Sequence, residues 1–349
     1  METGMRVGID TFSLHPLELD AFGQLDWIAA HGFDGAQFGR LGDDPGKLRD
    51  VRARADELGL YSHVSVTSPN PHLSKGTEAA LVDRIAAEVA RAAACGWREL
   101  HSSLGDDATR YRHDVPWPQH LADAARVLSR LAPCLRDHGS RINLEPHGDA
   151  TTWELARLAE DVGGDVCGVC LDTANVLCFA EDPVAAARRA APYTHLTHTK
   201  DAILYFCGTG VRRQGRPPGE GVLDWETILP ILAEHEPELP LSIEDHKWLF
   251  DARIFDPSWL AQQPDLTRDE LAEFVRLAWT CQEVIERGAL PDPEAYEAVP
   301  YATQMEARLG AGRDHLRELL SRLGIDEAAR RERAEPAAGE IQGQGHDRL

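Results

Sequence analysis

Acidic and imidazole side chains stand where several hydrophobic runs of this sequence end. Glu145 closes "INLE", Asp172 closes "GVCLD" and Glu244 closes "LSIE". His198 lies within a further run, "THLTHTK". If these runs are parallel strands of one barrel, their carboxyl ends share one face, and acids that meet there repel each other unless a cation lies between them. The four residues therefore predict a divalent metal site.

The donor set of three carboxylates and one imidazole indicates which metal would bind. Oxygen-rich sites suit Mn²⁺, which we expect, with Mg²⁺ or Co²⁺ as alternatives, whereas a structural zinc prefers thiolate and imidazole ligands. Each residue also has a structural alternative, because an acid at a strand end can cap the next helix and a lone histidine can be hydrogen-bonded inside a barrel. Four such residues on four consecutive strand ends favour the metal site.

Eight short β-type runs recur along the chain with helical stretches between them, which is the count that a (β/α)8 barrel requires. The runs are "RVGID", "GAQFG", "YSHVSV", "RELHSSL", "RINLE", "GVCLD", "THLTHTK" and "LPLSIE". The segments between them have helical periodicity, with glycine stops in several places. A threonine followed by Glu154, and Asp224 before "WETILPILAEH", are helix-start signals. We therefore predict an α/β fold, a (β/α)8 TIM barrel.

The pattern changes after the last predicted strand. The stretch "WLFDARIFDPSWL" is aromatic and interrupted by proline, and it is apolar enough to form a contact surface or to cover the barrel mouth. Helical segments then continue beyond what a final barrel helix needs. We predict a barrel over residues 1–250, a helical C-terminal extension packed on the barrel over residues 251–325, and a disordered tail over residues 326–349.

Composition excludes several classes of function. The 349 residues carry a formal net charge of -22 at pH 7, which repels phosphate backbones, so we expect no nucleic acid partner. The sequence has no apolar segment suited to a signal peptide or a membrane span, so we expect no membrane association and a cytoplasmic location. The seven cysteines are odd in number and scattered, which argues against a disulfide framework. "CGVC" (Cys167–Cys170) lies in a predicted strand, where we expect a structural role.

Five motifs carry a resemblance to a known family. "INLEPHG", "GVCLDTAN", "THLTHTKD", "PPGEGVLDWETIL" and "LSIEDH" resemble, in this order, the xylose-isomerase-like TIM barrels. That superfamily includes sugar phosphate isomerases, ketose 3-epimerases, inosose isomerases and dehydratases, hydroxypyruvate isomerases and type IV apurinic endonucleases. The resemblance implies that Glu145 and Glu244 bind the metal and also move protons. It implies that Asp172 and His198 are ligands only.

Departures from the ketose epimerase pattern affect the residues that would contact the substrate. Those enzymes have a motif that resembles "DTxH" after the sixth strand, whereas this chain has Asn175 in place of the histidine. The segment 202–218 is long for the link that follows the seventh strand. Arg213 or Arg216 in this segment could reach the site and hold an oxygen-rich substrate, and the alternative is a solvated loop arginine. The candidates for substrate binding are Asn175, Lys200 of "HTKD", His63, His101, Arg213 and Arg216.

His147 lies two residues after Glu145, so it can face the same mouth while remaining free of the metal. That position suits a separate general base. Glu-x-His at this place also resembles the metal-binding subunit of C-glycoside deglycosidases, which remove a proton from 3-keto sugars and expel the aglycone. The alternative is a histidine that supports the site or a loop without acting on substrate.

The function predicted from these residues is a divalent-metal-dependent isomerase or epimerase that acts on a sugar or cyclitol through an enediol-like intermediate. A lyase on 3-keto sugars, either a deglycosidase or a dehydratase, would use the same metal and base. A nuclease related to the apurinic endonucleases is disfavoured by the acidic charge. A non-catalytic binding protein would not need four intact ligands. We expect a small sugar-like substrate and a homo-oligomer, with a small partner subunit as a further expectation.

Overall fold

Eight parallel strands close into a barrel in the computed structural model of the protein, which describes residues 4–325. Within these residues the strands are β1 Arg6–Asp10, β2 Gly35–Phe38, β3 Tyr61–Ser65, β4 Glu99–Ser103, β5 Arg141–Glu145, β6 Cys167–Asp172, β7 Thr194–Thr199, β8 Asp201–Cys207, β9 Gly210–Arg216, β10 Pro240–Ile243 and β11 Leu249–Ala252. The barrel order is β1-β10-β7-β6-β5-β4-β3-β2. Each barrel strand coincides with one of the eight predicted runs, so the predicted TIM barrel is confirmed.

Helices surround the barrel, and several of them bury one face against it. Their bounds are α1 Ala21–Ala30, α2 Pro45–Glu57, α3 Glu78–Ala94, α4 Asp107–Arg112, α5 Trp117–His138, α6 Thr152–Val162, α7 Pro183–Ala190, α8 Trp225–His235, α9 Pro257–Leu260, α10 Arg268–Glu286, α11 Pro293–Ala298 and α12 Met305–Arg322. In α3 the buried residues Leu81, Ile85 and Val89 recur every fourth position and form its inner face. The predicted start of α6 is confirmed as a capping box between Thr151 and Glu154.

The segment 202–218, which we predicted as a long link after the seventh strand, is instead a β-hairpin. Strands β8 and β9 pair antiparallel, and Cys207 pairs with Gly210 across a two-residue turn. Strand β11, from the aromatic stretch after the barrel, pairs with β9 and completes a three-stranded sheet. The hairpin follows β7 at the carboxyl-terminal end of the barrel strands. It therefore begins at the face where the predicted ligands end their strands.

The C-terminal helices have two different positions. Helix α12 packs against β1, β10 and α8, so it takes the place of the eighth barrel helix although it begins 62 residues after β10 ends. Gly312 makes this approach possible, because a side-chain carbon there would lie 2.7 Å from Pro218 Cδ. Helix α10 packs on β8 and covers the three-stranded sheet. The predicted tail, 326–349, lies outside the described residues. Among the described helices, none has the length and apolar character needed to span a membrane.

Candidate metal and active site

Four side chains meet at the carboxyl-terminal face of the barrel. Glu145 and Asp172 are the last residues of β5 and β6, His198 is the next-to-last residue of β7, and Glu244 directly follows β10. All four are buried, and one ligand atom from each lies within 4.8 Å of the others. His198 Nδ1 lies 3.1 Å from Glu145 Oε1 and 3.1 Å from Glu244 Oε2. The structure therefore brings together the four residues that the sequence predicted as one ligand set.

The atoms at the centre of this cluster suit a cation. Asp172 Oδ2, Glu244 Oε2 and His198 Nδ1 are buried and form no hydrogen bond of normal geometry among the described residues, and their close neighbours are each other and the charged Lys200. The other oxygen of Asp172, Oδ1, is already used, because it accepts hydrogen bonds from the backbone N–H groups of Ala174 at 3.0 Å and Asn175 at 2.9 Å. Buried polar atoms are normally paired, and hard divalent cations take carboxylate oxygens as ligands. The residues present therefore fit a divalent ion.

His198 is held on its other edge by residues that sequence reasoning missed. Gln37 Nε2 lies 2.6 Å from His198 Nε2, and Asp10 Oδ2 lies 3.4 Å from the same nitrogen. Gln37 Oε1 is buried without a hydrogen-bond partner. If the amide presents Oε1 to the imidazole, it accepts the Nε2 proton, which satisfies both groups and leaves the Nδ1 lone pair for a metal. The only sequence signal was a polar residue inside the buried run "GAQFG".

Lys200 supplies positive charge to the same cluster. Its Nζ lies 2.8 Å from Asp172 Oδ2 and also contacts Glu244 Oε2. Burial opposes the charged amine, but Asp172 and Glu244 raise the pKa of Lys200 above its ordinary value. Burial would likewise raise the pKa of Glu244, but Lys200 and His198 hold that pKa well below its usual range. Lys200 therefore stays charged and keeps Glu244 ionised.

Two further predicted residues orient Glu145. His101 Nε2 lies 3.0 Å from Glu145 Oε2, and its Nδ1 lies 2.8 Å from Ser65 Oγ. Asn175 Nδ2 donates to Glu145 Oε1 at 3.3 Å. Both oxygens of Glu145 are thus contacted by polar groups, and Oε1 also lies near His198. The structure places His101 and Asn175 beside the cluster, where they can fix the direction of this carboxylate.

His147 lies next to the cluster without belonging to it. Its Nδ1 lies 3.1 Å from the carbonyl oxygen of Gly105. That carbonyl can only accept, so Nδ1 carries the proton in the neutral ring and Nε2 keeps the lone pair. The charge of Glu145 is the main reason that the pKa of His147 is raised. This geometry agrees with a histidine that is separate from the ligand set.

The two predicted arginines face opposite sides of β9. Arg213 Nη1 donates to Asn175 Oδ1 at 2.9 Å, so it reaches the edge of the site. Arg216 donates to Gln214 Oε1 at 2.8 Å and lies over the ring of Tyr296, away from Asn175. The alternative of a solvated loop arginine is wrong for both, because Arg213 is 4% exposed and Arg216 is 3% exposed. Both lie on β9, the central strand of the three-stranded sheet.

The structure does not bring His63 to this cluster. His63 lines a cavity of about 610 Å³ at the amino-terminal ends of the barrel strands, together with Arg6, Glu99 and His195. Burial lowers the pKa of His63 to about 4. His63 and His101 are each the third residue of a five-residue strand, but β4 is staggered against β3 so that His101 lies opposite Ser65, two residues beyond His63. We no longer count His63 among the substrate-binding candidates.

His246 is another residue that sequence reasoning missed. It is buried two residues after Glu244, which repeats the spacing between Glu145 and His147. Its ring centroid lies 4.5 Å from Trp248 and 6.0 Å from Phe12, and these two aromatic side chains are 56% and 40% exposed. The signal was the second Glu-x-His in "IEDH". An aromatic rim therefore begins directly beside Glu244.

The cysteines follow the predicted pattern. All seven are free thiols, so the expectation of no disulfide framework is confirmed. Cys167 and Cys170 are buried in β6, and Cys170 Sγ lies within 4.8 Å of a ring nitrogen of His101 and of His198. Burial raises the pKa of the Cys170 thiol. Cys170 therefore lies inside the barrel below the carboxylates, whereas Cys167 takes no part in this group.

The fold and site define a TIM barrel with an acidic and imidazole cluster at the carboxyl ends of its strands. Residues 25–276 match the sequence profile of the xylose isomerase-like TIM barrel family, and the chain belongs to that family.

Three similar proteins illustrate the family. The uncharacterized protein YihM of Escherichia coli strain K12 is 22% identical over 228 residues, and the match spans 64% of this chain and 64% of that relative. The D-psicose 3-epimerase of Clostridium cellulolyticum H10, solved with D-tagatose, is 16% identical with a TM-score of 0.60, covering 90% of this chain and 99% of that one. The 3-keto-D-glucoside 4-epimerase YcjR of E. coli is 16% identical with a TM-score of 0.53, covering 78% and 99%. The two solved structures have the same fold as this chain.

Proposed function

We propose that the protein is a divalent-metal-dependent isomerase or epimerase of a sugar or cyclitol, which removes a proton from the carbon next to a carbonyl. The observation that carries this proposal is the convergence of Glu145 and Glu244 on one point, each 3.1 Å from His198 Nδ1. Two glutamates on opposite sides of a bound substrate can exchange protons with its two faces. Solved structures of similar fold are named as D-psicose 3-epimerase and 3-keto-D-glucoside 4-epimerase, which supports this choice of reaction.

The four-residue cluster would hold the metal. A divalent ion bound there supplies positive charge that polarises the substrate carbonyl and makes the adjacent C–H more acidic. Mn²⁺ is our proposed ion, and Mg²⁺ or Co²⁺ also suits the oxygen-rich donor set. Gln37 fixes the imidazole edge of His198 that faces away from the ion. The ligand residues are Glu145, Asp172, His198 and Glu244.

The two glutamates account for proton transfer. One glutamate, as its carboxylate, removes the proton from the carbon, and the electron pair moves toward the carbonyl oxygen. The other glutamate takes a proton from solvent and returns it to the enediol-like species, and the first glutamate then releases its proton to solvent. His101 and Asn175 hold the base Glu145 through its two oxygens. Lys200 lies against Glu244 and can donate to a substrate oxygen as it gains negative charge. Reprotonation on the opposite face gives an epimer, and reprotonation at the neighbouring carbon gives an isomer.

A second candidate function is a lyase that acts on 3-keto glycosides. The observation that favours it is the contact between His147 Nδ1 and the Gly105 carbonyl, which leaves Nε2 as a proton acceptor beside the cluster. A base at His147 would free both glutamates from proton removal, and the electron pair left on carbon would expel the aglycone. The net charge of -22 argues against the related nuclease function.

Solvent exchange tests the proposal. Metal-loaded protein in D₂O is mixed with free ketoses, inososes and 3-keto glycosides, and deuterium at the carbon beside the carbonyl is followed by NMR. We expect exchange that requires the ion and is strongly reduced in Glu145→Gln and Glu244→Gln, while the surface control Glu160→Gln behaves as the parent. Release of an aglycone would favour the lyase. Absence of exchange with every class, at full metal content, would contradict both functions.

A further inference from the structure

The buried guanidinium of Arg213 has no charged partner. Arg213 Nη1 donates one hydrogen bond, to Asn175 Oδ1, and its Nε is buried with no hydrogen-bond partner. Within residues 4–325, no carboxylate oxygen lies within the 4.0 Å of an ion pair with Arg213. A charge removed from water is costly unless it is paired, so an unpaired buried arginine needs an explanation.

Other buried arginines of the chain show how this cost is normally met. Arg110 pairs with Glu154 at 2.7 Å, and Arg308 pairs with Asp245 at 2.6 Å. Arg216 has no carboxylate partner, but it lies 3.3 Å from the ring centroid of Tyr296, and burial lowers its pKa to about 10. Among the described residues, Arg213 has no carboxylate partner, and its guanidinium lies over no aromatic ring, although Phe250 is its cross-strand neighbour. It therefore differs from each of the other three.

Arg213 lies close to the ligand cluster. Asn175 accepts from Arg213 and donates to Glu145, so one amide side chain separates the guanidinium from the ligand cluster. A divalent ion and Lys200 together balance the three carboxylates of that cluster. Asp10, the further acid beside His198, lies at the Nε2 edge of the ring and is not within ion-pair distance of Arg213. The charge of Arg213 is therefore not paired with an acid of the ligand cluster.

We propose that Arg213 binds an anionic group of the substrate, so that the substrate is a sugar acid or a sugar phosphate. This proposal rests on the proposed function, because it places the substrate carbonyl at the metal and the anionic group beyond Asn175. A guanidinium presents its N–H donors in a planar fork that matches two oxygens of a carboxylate or a phosphate. The anion would satisfy the unpaired donor and compensate the buried charge at once.

The neighbouring arginine provides a matched control. Arg212 lies beside Arg213 on β9 but points to the other face, where its Nη2 donates to Asp251 Oδ2 at 2.7 Å. Arg212→Gln and Arg213→Gln therefore remove the same charge from adjacent positions of one strand. Arg213→Lys keeps the charge but loses the planar fork, and it serves as the second variant should Arg213→Gln fail to fold.

Calorimetric titration of the full-length, Mn²⁺-loaded protein tests the proposal with D-glucose, D-glucuronate and D-glucose 6-phosphate. We expect one of the two anionic sugars to bind on the order of 10- to 100-fold more tightly than glucose, the range of a charge-assisted hydrogen-bonded pair. A preference for glucuronate identifies a carboxylate, and a preference for the phosphate identifies a phosphoryl group. Arg213→Gln should abolish the preference, Arg213→Lys should reduce it, and Arg212→Gln should retain it.

Two results would overturn the role of Arg213. Equal affinity for glucose and for both anionic sugars would show that the site does not select an anion, while the metal-dependent function would stand. A preference that persists in Arg213→Gln, or that is lost equally in Arg212→Gln, would show that another group or the overall charge selects the anion. Failure of the proposed function has a separate signature, which is sugar binding that is unchanged after the metal is removed by a chelator.

Discussion

Gln37 Nε2 lies 2.6 Å from His198 Nε2, which links strand β2 to strand β7 across the barrel interior. The two strands are three places apart in the barrel order, so this contact is not a consequence of strand pairing. Hydrogen bonding to the unliganded nitrogen of a metal-binding histidine fixes its tautomer and its ring orientation. The contact therefore supports the assignment of Nδ1 as the ligand atom.

Gln37→Leu should lower Mn²⁺ affinity by a factor on the order of 10 to 100, the usual effect of losing such a partner. Leucine has a similar size but cannot accept the Nε2 proton. Gln37→Glu can accept it and should keep affinity closer to the parent. Calorimetric titration of chelator-treated variants measures the change. Parental affinity in Gln37→Leu would show that Gln37 does not orient the ligand.

Glu145→Gln and Glu244→Gln should each lower turnover by a factor on the order of 10² to 10⁴ at saturating Mn²⁺, which is the usual contribution of a positioned acid or base. The amide keeps the shape of the side chain but cannot accept a proton, and it is a weaker ligand. Metal content must be measured beside the rates so that the two effects are separated. Near-parental turnover at full metal content would remove either residue from the proposed proton transfer.

His147→Ala should leave metal stoichiometry unchanged, because the imidazole is not one of the four ligands. If His147 is the base of a lyase, proton exchange and release of the aglycone should both collapse in this variant. If the glutamates carry the protons, the same change should raise KM more than it lowers kcat. Deuterium exchange at the parental rate would exclude His147 as the base. Loss of bound metal would mean that His147 supports the ligand shell.

His63 should make stability depend on pH in the acidic range. Burial lowers its pKa to about 4, whereas the unfolded chain has an ordinary value near 6.5, so the folded state binds the proton less tightly. Its stabilising effect is therefore complete above pH ~6.5 and is lost as the pH falls toward 4. The loss is at most about 3 kcal/mol, and less because the ring is partly exposed.

Urea unfolding between pH 4 and pH 7 measures this dependence. His63→Gln should flatten the curve relative to the parent, and the exposed control His235→Gln should not. Identical slopes in the parent and in His63→Gln would show that His63 is not protonated on unfolding in this range.

The barrel and the ligand cluster could be predicted from the sequence because both depend on local patterns. Each barrel strand is a short apolar run, and each ligand stands at or near the end of one run. In a parallel barrel those ends meet on one face whatever the details of packing. The same rule could not separate His101 from His63, because each is the third residue of a five-residue strand, and only the stagger that sets His101 opposite Ser65 brings His101 to the site.

The hairpin and the eighth helix could not be predicted because they depend on distant contacts. Strand β9 contains Arg212, Arg213 and Arg216, which are not typical strand residues. Its partner strand β11 begins 33 residues after β9 ends. No local sequence pattern shows whether α10 or α12 is the eighth barrel helix. The close approach of Gly312 in α12 to Pro218 and Ile243 joins segments that are far apart in the chain.

The most direct test of the account is titration of Mn²⁺ into chelator-treated protein, with thermal unfolding measured in parallel. We predict one ion per chain and a rise in stability of about 2.7 kcal/mol at a free ion concentration of 100 Kd, because the ion binds only the folded site. Asp172→Asn should weaken both effects, while the exposed control Glu160→Gln should leave them unchanged. Absence of bound ion, together with identical unfolding before and after chelation, would contradict the four-residue metal site and the function proposed from it.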